Sequence, residues 1–303
     1  MHDIVIAGAG PAGMTAALYA LRGGRSVLLL EKESVGGQMA SSAMVENYPA
    51  VESVPGVELA DRMLSRVLDM GADLELDEAA GLEISGLEMV VAGAEGRYPC
   101  RSVIIASGVR HRKLGIPGEE ELLGRGVSYC AVCDGAFFKG KRAAVVGGGA
   151  TAVQSALELS GLCSRVYILY RRSRFTRVDS LSLAALERRD NITIIFDTVV
   201  TAALERDGAL GALELETGGR KDILETDAMF VAAGLDPANE CFSPPLRLDP
   251  EGYLEAGEDC RTCVDGVFAA GDCRTKSVRQ ITTAVADGAV AALAACDYLS
   301  RLQ

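Results

Sequence analysis

Residues 130–134 read Cys130-Ala-Val-Cys133-Asp134, two thiols three positions apart with a carboxylate directly behind them. Thiols at this spacing close easily to a disulfide, and neighbouring groups lower a thiol pKa and so make it nucleophilic. Asp134 is a candidate proton donor or acceptor; the alternative is that it caps the turn continued by Gly135. The pair lies between two glycine-rich turns, Gly8-Ala-Gly10-Pro11-Ala12-Gly13 and Gly147-Gly-Gly149-Ala150-Thr151-Ala152. Each turn follows a short apolar run, Ile4 to Ala7 and Ala143 to Val146. Two dinucleotide sites and one dithiol make a short electron path. One nucleotide donates a hydride, a second holds it, and the sulfurs pass on two electrons.

These groups need elements that place them. In G-x-G-x-x-G the first glycine makes a tight turn and the second lets a pyrophosphate reach the backbone. The third lets helix pack on strand, and the helix N-terminus then faces the negative charge. Ile4 to Ala7 reads as a buried strand, about Ala12 to Arg22 as a helix and Ser26 to Leu30 as the next strand, a βαβ unit. The pattern restarts with a strand at Arg142 to Val146, a helix at Thr151 to Leu162 and a strand at Val166 to Leu169. Twenty-three residues after Gly8 stands Glu31. A carboxylate there accepts a ribose hydroxyl and repels a 2′-phosphate, so the first site suits FAD or NAD. The same step from Gly147 reaches Tyr170, followed by Arg171 and Arg172. Guanidinium suits phosphate by charge and forked geometry, so the second site favours NADPH. The alternative for the arginine pair is a solvated charge run.

Between and after these units, Val57 to Met70 reads as an amphipathic helix and Leu74 to Ala106 as short strands with glycine turns. The basic, glycine-rich segment Gly108 to Gly118 and the turn Gly234-Leu-Asp-Pro237 read as domain crossings. A further helix is expected at about Ser180 to Arg189, a strand at Val267 to Ala270 and a long helix at Gln280 to Leu299. One dinucleotide unit is thus inserted into another. The expected fold is α/β, with two Rossmann-like three-layer ββα domains, FAD/NAD(P)-binding in type. Residues 1–112 and 240–303 form the FAD-binding domain, and 113–239 the NAD(P)H-binding domain that carries the C-x-x-C.

Composition narrows the function classes. The chain has 303 residues, 49% hydrophobic, with net charge −12. That charge argues against nucleic acid or an anionic membrane as partner. No run approaches the roughly 18 apolar residues of a membrane span, and the start lacks the basic region of a signal peptide. Nine irregularly spaced cysteines in such a chain point to a reducing cytoplasm rather than to a disulfide scaffold. Two histidines leave little material for Ser-His-Asp hydrolysis or a multi-histidine metal site. A zinc site from Cys130/Cys133 and Cys260/Cys263 is disfavoured by their distance along the chain, so no metal is expected.

Together these residues resemble the bacterial-type, low-molecular-weight thioredoxin reductases, class II members of the pyridine nucleotide-disulfide oxidoreductases. The resemblance spans essentially the whole chain. Besides the turns and the dithiol it rests on Glu31, Gly36-Gly37-Gln38, Glu46-Asn47-Tyr48-Pro49, Phe268-Ala-Ala-Gly271-Asp272 and Arg279-Gln280. It implies FAD on Gly8, Gly10, Pro11, Ala12 and Gly13, with Glu31 on the adenosine ribose and Lys32 beside it. Gly37, Gln38, Asn47 and Gly108 fall near the FAD, Gly271 and Asp272 at the ribitol, and Arg279, Gln280 and Ile281 at the isoalloxazine. It implies NADPH, with NADH as the alternative, on Gly147, Gly149, Ala150, Thr151, Arg171, Arg172 and Arg177. Cys133 faces the flavin, Cys130 attacks the disulfide of thioredoxin or a thioredoxin-like protein, and Asp134 is the acid/base. The inserted domain rotates between two presentations, and a homodimer is usual.

One departure matters. The family's NADPH motif reads His-Arg-Arg, three residues, then Arg; here Tyr170 replaces the histidine and Thr176 stands where the third arginine is expected, with Arg174 and Arg177 flanking it. Weaker discrimination for the phosphate follows, hence readier use of NADH. Three rivals remain: a flavin disulfide reductase fed by ferredoxin, a ferredoxin– or quinone–NADP reductase, and a non-catalytic FAD-binding redox sensor.

Overall fold

Strand β1 (His2–Ala7) is buried from Ile4 onward, so its alternate side chains need cover on both faces. The computed structural model, which describes residues 1–42, 44–86, 88–176 and 178–302, supplies it with two layers. The chain divides into two units, Met1–Arg110 with Asp236–Gln303, and His111–Leu235. The sequence-based boundaries at 112/113 and 239/240 lie a few residues later than these crossings.

In the first unit β1 is followed by α1 (Pro11–Arg22), β2 (Val27–Glu31), α2 (Gly56–Asp69), β3 (Asp73–Leu76), β4 (Ala79–Ser85), β5 (Glu88–Gly93) and β6 (Arg97–Ile105). The sheet runs β3-β2-β1-β6-β5-β4. β6 is shared: its start pairs antiparallel with β5, Met89 opposite Cys100, and its end pairs parallel with β1, Val5 opposite Val103. One face of β1 and β6, with Ile4, Ile6 and Ile104, packs on the alanine-rich side of α1. The other face, with Val5, Val103 and Ile105, packs on Leu82, Met89 and Val91 of the antiparallel layer.

The second unit repeats this plan. After β7 (Arg110–His111) come β8 (Val127–Ser128), α3 (Ala131–Asp134), β9 (Arg142–Val146), α4 (Ala150–Ser160), β10 (Arg165–Leu169), α5 (Ser180–Glu187) and β11 (Ile192–Ile195). β12 (Thr198–Arg206), β13 (Ala209–Thr217), β14 (Arg220–Glu225), β15 (Ala228–Val231) and β16 (Leu235–Asp236) follow. A parallel sheet β11-β10-β9-β15-β8 lies between α4 on one face and the antiparallel β12-β13-β14 on the other. Both units are therefore three-layer α/β folds with Rossmann-like parallel sheets.

The chain then returns to the first unit with β17 (Val267–Ala269), which pairs parallel with β6, and α6 (Ile281–Arg301). By length and composition α6 is apolar enough to cross a membrane, which the sequence reading did not register. Here it seats on α1 through small residues: Ala284, Gly288, Ala291, Ala292 and Ala295 are buried, as are Ala12, Gly13, Ala16, Ala17 and Ala20 opposite. A Cβ on Gly288 would strike the carbonyl oxygen of Ala12. Gly288→Ala gains about 1 kcal/mol of helix propensity but overpacks a backbone contact, which costs about 1–3 kcal/mol or more. The clash is expected to win, lowering the urea midpoint with little change in m-value.

Candidate active site

The first glycine turn is shaped by close approach. Gly8 has φ +112° and a Cβ there would strike the Ala106 carbonyl; a Cβ on Gly13 would strike that of Gly8. Gly10 has open space beside it. It is the N-cap of α1, Pro11 is the first helical residue, and neither a side-chain cap nor a first-turn acid engages the free N–H groups. That leaves an anion-binding end. Glu31, at the end of β2, turns its carboxylate back on this turn. Oε2 accepts from Ala9 N–H (2.9 Å), and Oε1 from Lys32 N–H (2.9 Å) and Glu33 N–H (3.1 Å). Three of about four acceptor positions are used, leaving room for a ribose hydroxyl. Lys32 itself pairs with Glu78 at 2.9 Å.

Other predicted residues converge on the same unit. Gln38, beyond Gly37, donates through Nε2 to the Val109 carbonyl, next to Gly108. Asn47 Nδ2 donates to Gln280 Oε1 at 3.2 Å. Gln280 caps α6 by a reciprocal box with Thr283, which fixes Ile281 as the first helical residue. Gly271 lies against Ala12, where a Cβ would crowd the Ala12 side chain, so Asp272 is held near the start of α1. Asp272 Oδ1 is buried without a hydrogen-bond partner among the described residues. Burial pushes its pKa up to about 6, against the pull of Lys276 and Arg279. An orphaned acceptor beside an uncapped helix start is what a polyhydroxylated cofactor chain would satisfy. Arg279 donates to the Asp272 carbonyl (3.3 Å), its guanidinium 4.1 Å from the Tyr253 ring centroid.

Beneath Asp272 lies a network absent from the sequence reading. Arg274 is 2% exposed and grips Asp287 with Nε and Nη2, both at 2.9 Å. Lys276 reaches the same carboxylate at 2.8 Å, and Asp287 Oδ2 accepts from Gly271 N–H at 3.0 Å. These bonds outweigh burial and hold the Asp287 carboxyl below its usual range. Spacing gave no signal for it; only an acid inside the apolar stripe of α6 did.

In the second unit Gly147 lies against the Ala232 carbonyl, and Gly149 caps α4, again without a side-chain cap. Ala150 and Thr151, the first helical residues, are exposed. Tyr170 lays its ring on Gly148, where a Cβ would collide with it. Its hydroxyl is 3.0 Å from Thr176 Oγ1, and Thr176 N–H donates to the Gly148 carbonyl at 3.0 Å. The two positions that depart from the NADPH motif are thus bonded to each other. Arg171 and Arg172 are exposed. Arg177 lies outside the described residues.

The dithiol is closed: Cys130 and Cys133 form a disulfide. Cys130 Sγ accepts from Cys133 N–H at 3.2 Å, and Asp134 N–H donates to the Cys130 carbonyl at 3.1 Å. Asp134 is half-buried, and burial raises its pKa while a bond from Ser128 opposes that rise. Ser128, at the end of β8, was not singled out in the sequence; its place six residues before the acid was the available sign. The structure also places the other cysteines. Cys273 is buried on the carbonyls of Ala270 and Ile105, its thiol pushed up to about 11 by burial. Cys260 is buried on the Asp287 carbonyl and pushed up to about 12, and Cys263 is exposed.

Comparison with known proteins agrees with this arrangement. The sequence profile of the pyridine nucleotide-disulphide oxidoreductase family matches residues 2–288. A thioredoxin reductase of Bacillus subtilis is 42% identical over 100% of this chain and 96% of its own. The crystal structure of thioredoxin reductase from Streptococcus pyogenes superposes with a TM-score of 0.95 at 37% identity, covering 99% of each chain. A ferredoxin-flavin thioredoxin reductase from Clostridium acetobutylicum is more distant, with a TM-score of 0.55 at 27% identity over 99% of this chain and 98% of that one. The chain therefore belongs to the pyridine nucleotide-disulphide oxidoreductases, in the branch of the low-molecular-weight thioredoxin reductases.

Proposed function

We propose that the protein passes electrons from NADPH to the disulfide of thioredoxin, by way of FAD on the first unit and the Cys130–Cys133 pair on the second. The observation that carries this reading is a closed C-x-x-C disulfide with a half-buried acid behind it, in a chain with two uncapped glycine-turn helices. Gly8 to Gly13, Glu31, Asp272 and the start of α6 hold the FAD; the free acceptor of Asp272 and the three-amide grip on Glu31 support that fit. Bound there, FAD supplies the two-electron exchange between reduced nicotinamide and a disulfide.

The residues of the chain carry the rest. In the reduced pair, the Cys130 thiolate attacks one sulfur of the partner's disulfide, forming a mixed disulfide and releasing the partner's other sulfur as a thiolate. In the closed pair the Cys133 amide lies 3.2 Å from Cys130 Sγ, a place from which it would favour that thiolate. Asp134, whose proton affinity burial raises, supplies the proton to the leaving sulfur. Cys133 then attacks Cys130 Sγ; the pair is reoxidised and the partner leaves as a dithiol. Seven cysteines stay free, which supports a reducing cytoplasm. The exposed apolar side chains Leu68 and Leu293 of the first unit offer material for a homodimer.

The second unit is assigned NADPH because Tyr170 rather than an acid follows β10, with Arg171 and Arg172 exposed beside it. Two cations remain of three, and the Tyr170–Thr176 bond fills two motif positions with neutral groups. Each lost charge-assisted bond is worth about 1.5–3 kcal/mol.

Three outcomes test this reading. In anaerobic stopped flow NADPH is expected to bleach the flavin faster than NADH, with a preference in kcat/KM below about a thousandfold, since one arginine of the set is missing; bleaching by neither would move the electron source elsewhere. Cys130→Ser is expected to keep flavin reduction and lose thioredoxin turnover, and full turnover in that variant would refute the assignment. Asp272→Asn removes a buried charge whose pKa is raised on folding, so the flavin-free variant should melt a few degrees higher at pH 7.5 and lose that advantage toward pH 4. Its affinity for FAD, measured by fluorescence quenching, should fall by about tenfold.

A further inference from the structure

The second unit contains a side chain that touches both functional parts of the dithiol segment. Ser128 is 4% exposed and ends β8, two residues before Cys130. Its hydroxyl donates to Asp134 Oδ2 at 2.5 Å and accepts from the Cys130 backbone N–H at 3.0 Å. A second acceptor for the same proton, the Cys130 carbonyl, lies 3.4 Å away. A serine hydroxyl has one proton and two lone pairs. With Asp134 ionised, the proton serves the carboxylate. With Asp134 protonated, the carboxyl can donate to Ser128 Oγ and the serine proton can turn to the Cys130 carbonyl. Both states of the acid therefore keep a partner, and a buried polar group without one is costly.

We propose that Ser128 is a positioning residue for disulfide exchange, orienting the Asp134 carboxyl and setting its proton affinity while tying it to the backbone of Cys130. This rests on the reading of Asp134 as the proton donor. The surroundings leave the role to Ser128. α4 meets this segment with Val153, Ala156 and Leu159, and the following turn adds Phe138, all apolar. The phenol of the adjacent Tyr129 is turned to Glu119 at 3.0 Å. Cys130 and Cys133 beside Asp134 are joined in the disulfide and do not titrate in that state. Burial raises the Asp134 pKa and the serine bond lowers it, with no charged side chain among the described residues contributing to the shift. Losing a hydrogen bond to the charged form disfavours that form, so the pKa must rise when the hydroxyl is removed.

The test reads the acid directly. In the FAD-loaded, oxidised protein with carboxyl-labelled aspartate, the carbon NMR resonance lost in Asp134→Asn identifies Asp134. Its titration midpoint is then compared between wild type, Ser128→Ala and Ser128→Thr. Ser128→Ala should move the midpoint up by about one pH unit, and Ser128→Thr, which keeps the hydroxyl, should restore it. The alkaline limb of kcat/KM with thioredoxin should move up in parallel, while flavin bleaching by NADPH is unchanged. An unmoved midpoint in Ser128→Ala overturns the proposal, as does a moved midpoint with an unmoved limb. Failure of the wild-type protein to reduce thioredoxin at all would instead sink the functional reading, and the NMR midpoint would still decide whether Ser128 sets the acid.

Discussion

The start of α1 depends on three close approaches that leave no room for a Cβ, two of them backbone on backbone. Gly13 lies on the Gly8 carbonyl, Gly288 of α6 on the Ala12 carbonyl, and Gly271 on the Ala12 side chain. Three segments remote in sequence thus converge on one helical turn. Side chains at these points would spread the elements and move the uncapped N–H groups away from Asp272 and Glu31. Interior packing at organic-crystal density leaves no slack to absorb such a shift. The binding geometry of the first unit is therefore a packing property before it is a matter of polar side chains.

Polar side chains then fix what packing has brought close, and each unit uses a different device. The first has a buried ion cluster, Arg274 and Lys276 on Asp287, which also takes the Gly271 amide and so anchors the turn carrying Asp272. The pairing is multiple and hydrogen-bonded, the condition under which buried charge is tolerated. In the second unit one neutral hydroxyl links Asp134 to the backbone of Cys130, the cysteine proposed to attack. A neutral partner leaves the acid free to change charge, whereas a cation at that place would lock it ionised.

Much of this could be read from the chain. β1, α1 and β2, and their counterparts β9, α4 and β10, follow from apolar runs broken by glycine fingerprints, and the position 23 residues on separates Glu31 from Tyr170. The dithiol and its acid are contiguous. What was not legible depends on contacts across the fold. Asp287 sits in an alanine-rich stripe whose period tells which face is buried but not that Arg274 waits opposite. Ser128 follows Val127 in a two-residue strand, too short for alternation to mark it. Thr176 looked like a missing arginine; its bond to Tyr170 shows the two substitutions as one local unit.

The discontinuity of the first unit bears on the order in which the protein is made. Residues 111–235 form a unit of consecutive chain, with its helix, parallel sheet and antiparallel layer all local to it. The first unit, by contrast, has β17 and α6 encoded after the inserted unit. During synthesis the alanine face of α1 stays uncovered until residues 281–301 have left the ribosome, although its glycine turn is made before the whole inserted unit. The inserted unit can fold as it emerges, while the unit that begins the chain must wait, its β1–β2 pair exposed as an unfinished sheet. The turn that would hold a pyrophosphate lacks Gly271, Asp272 and Gly288 until α6 has been made, so cofactor loading follows the inserted unit rather than preceding it.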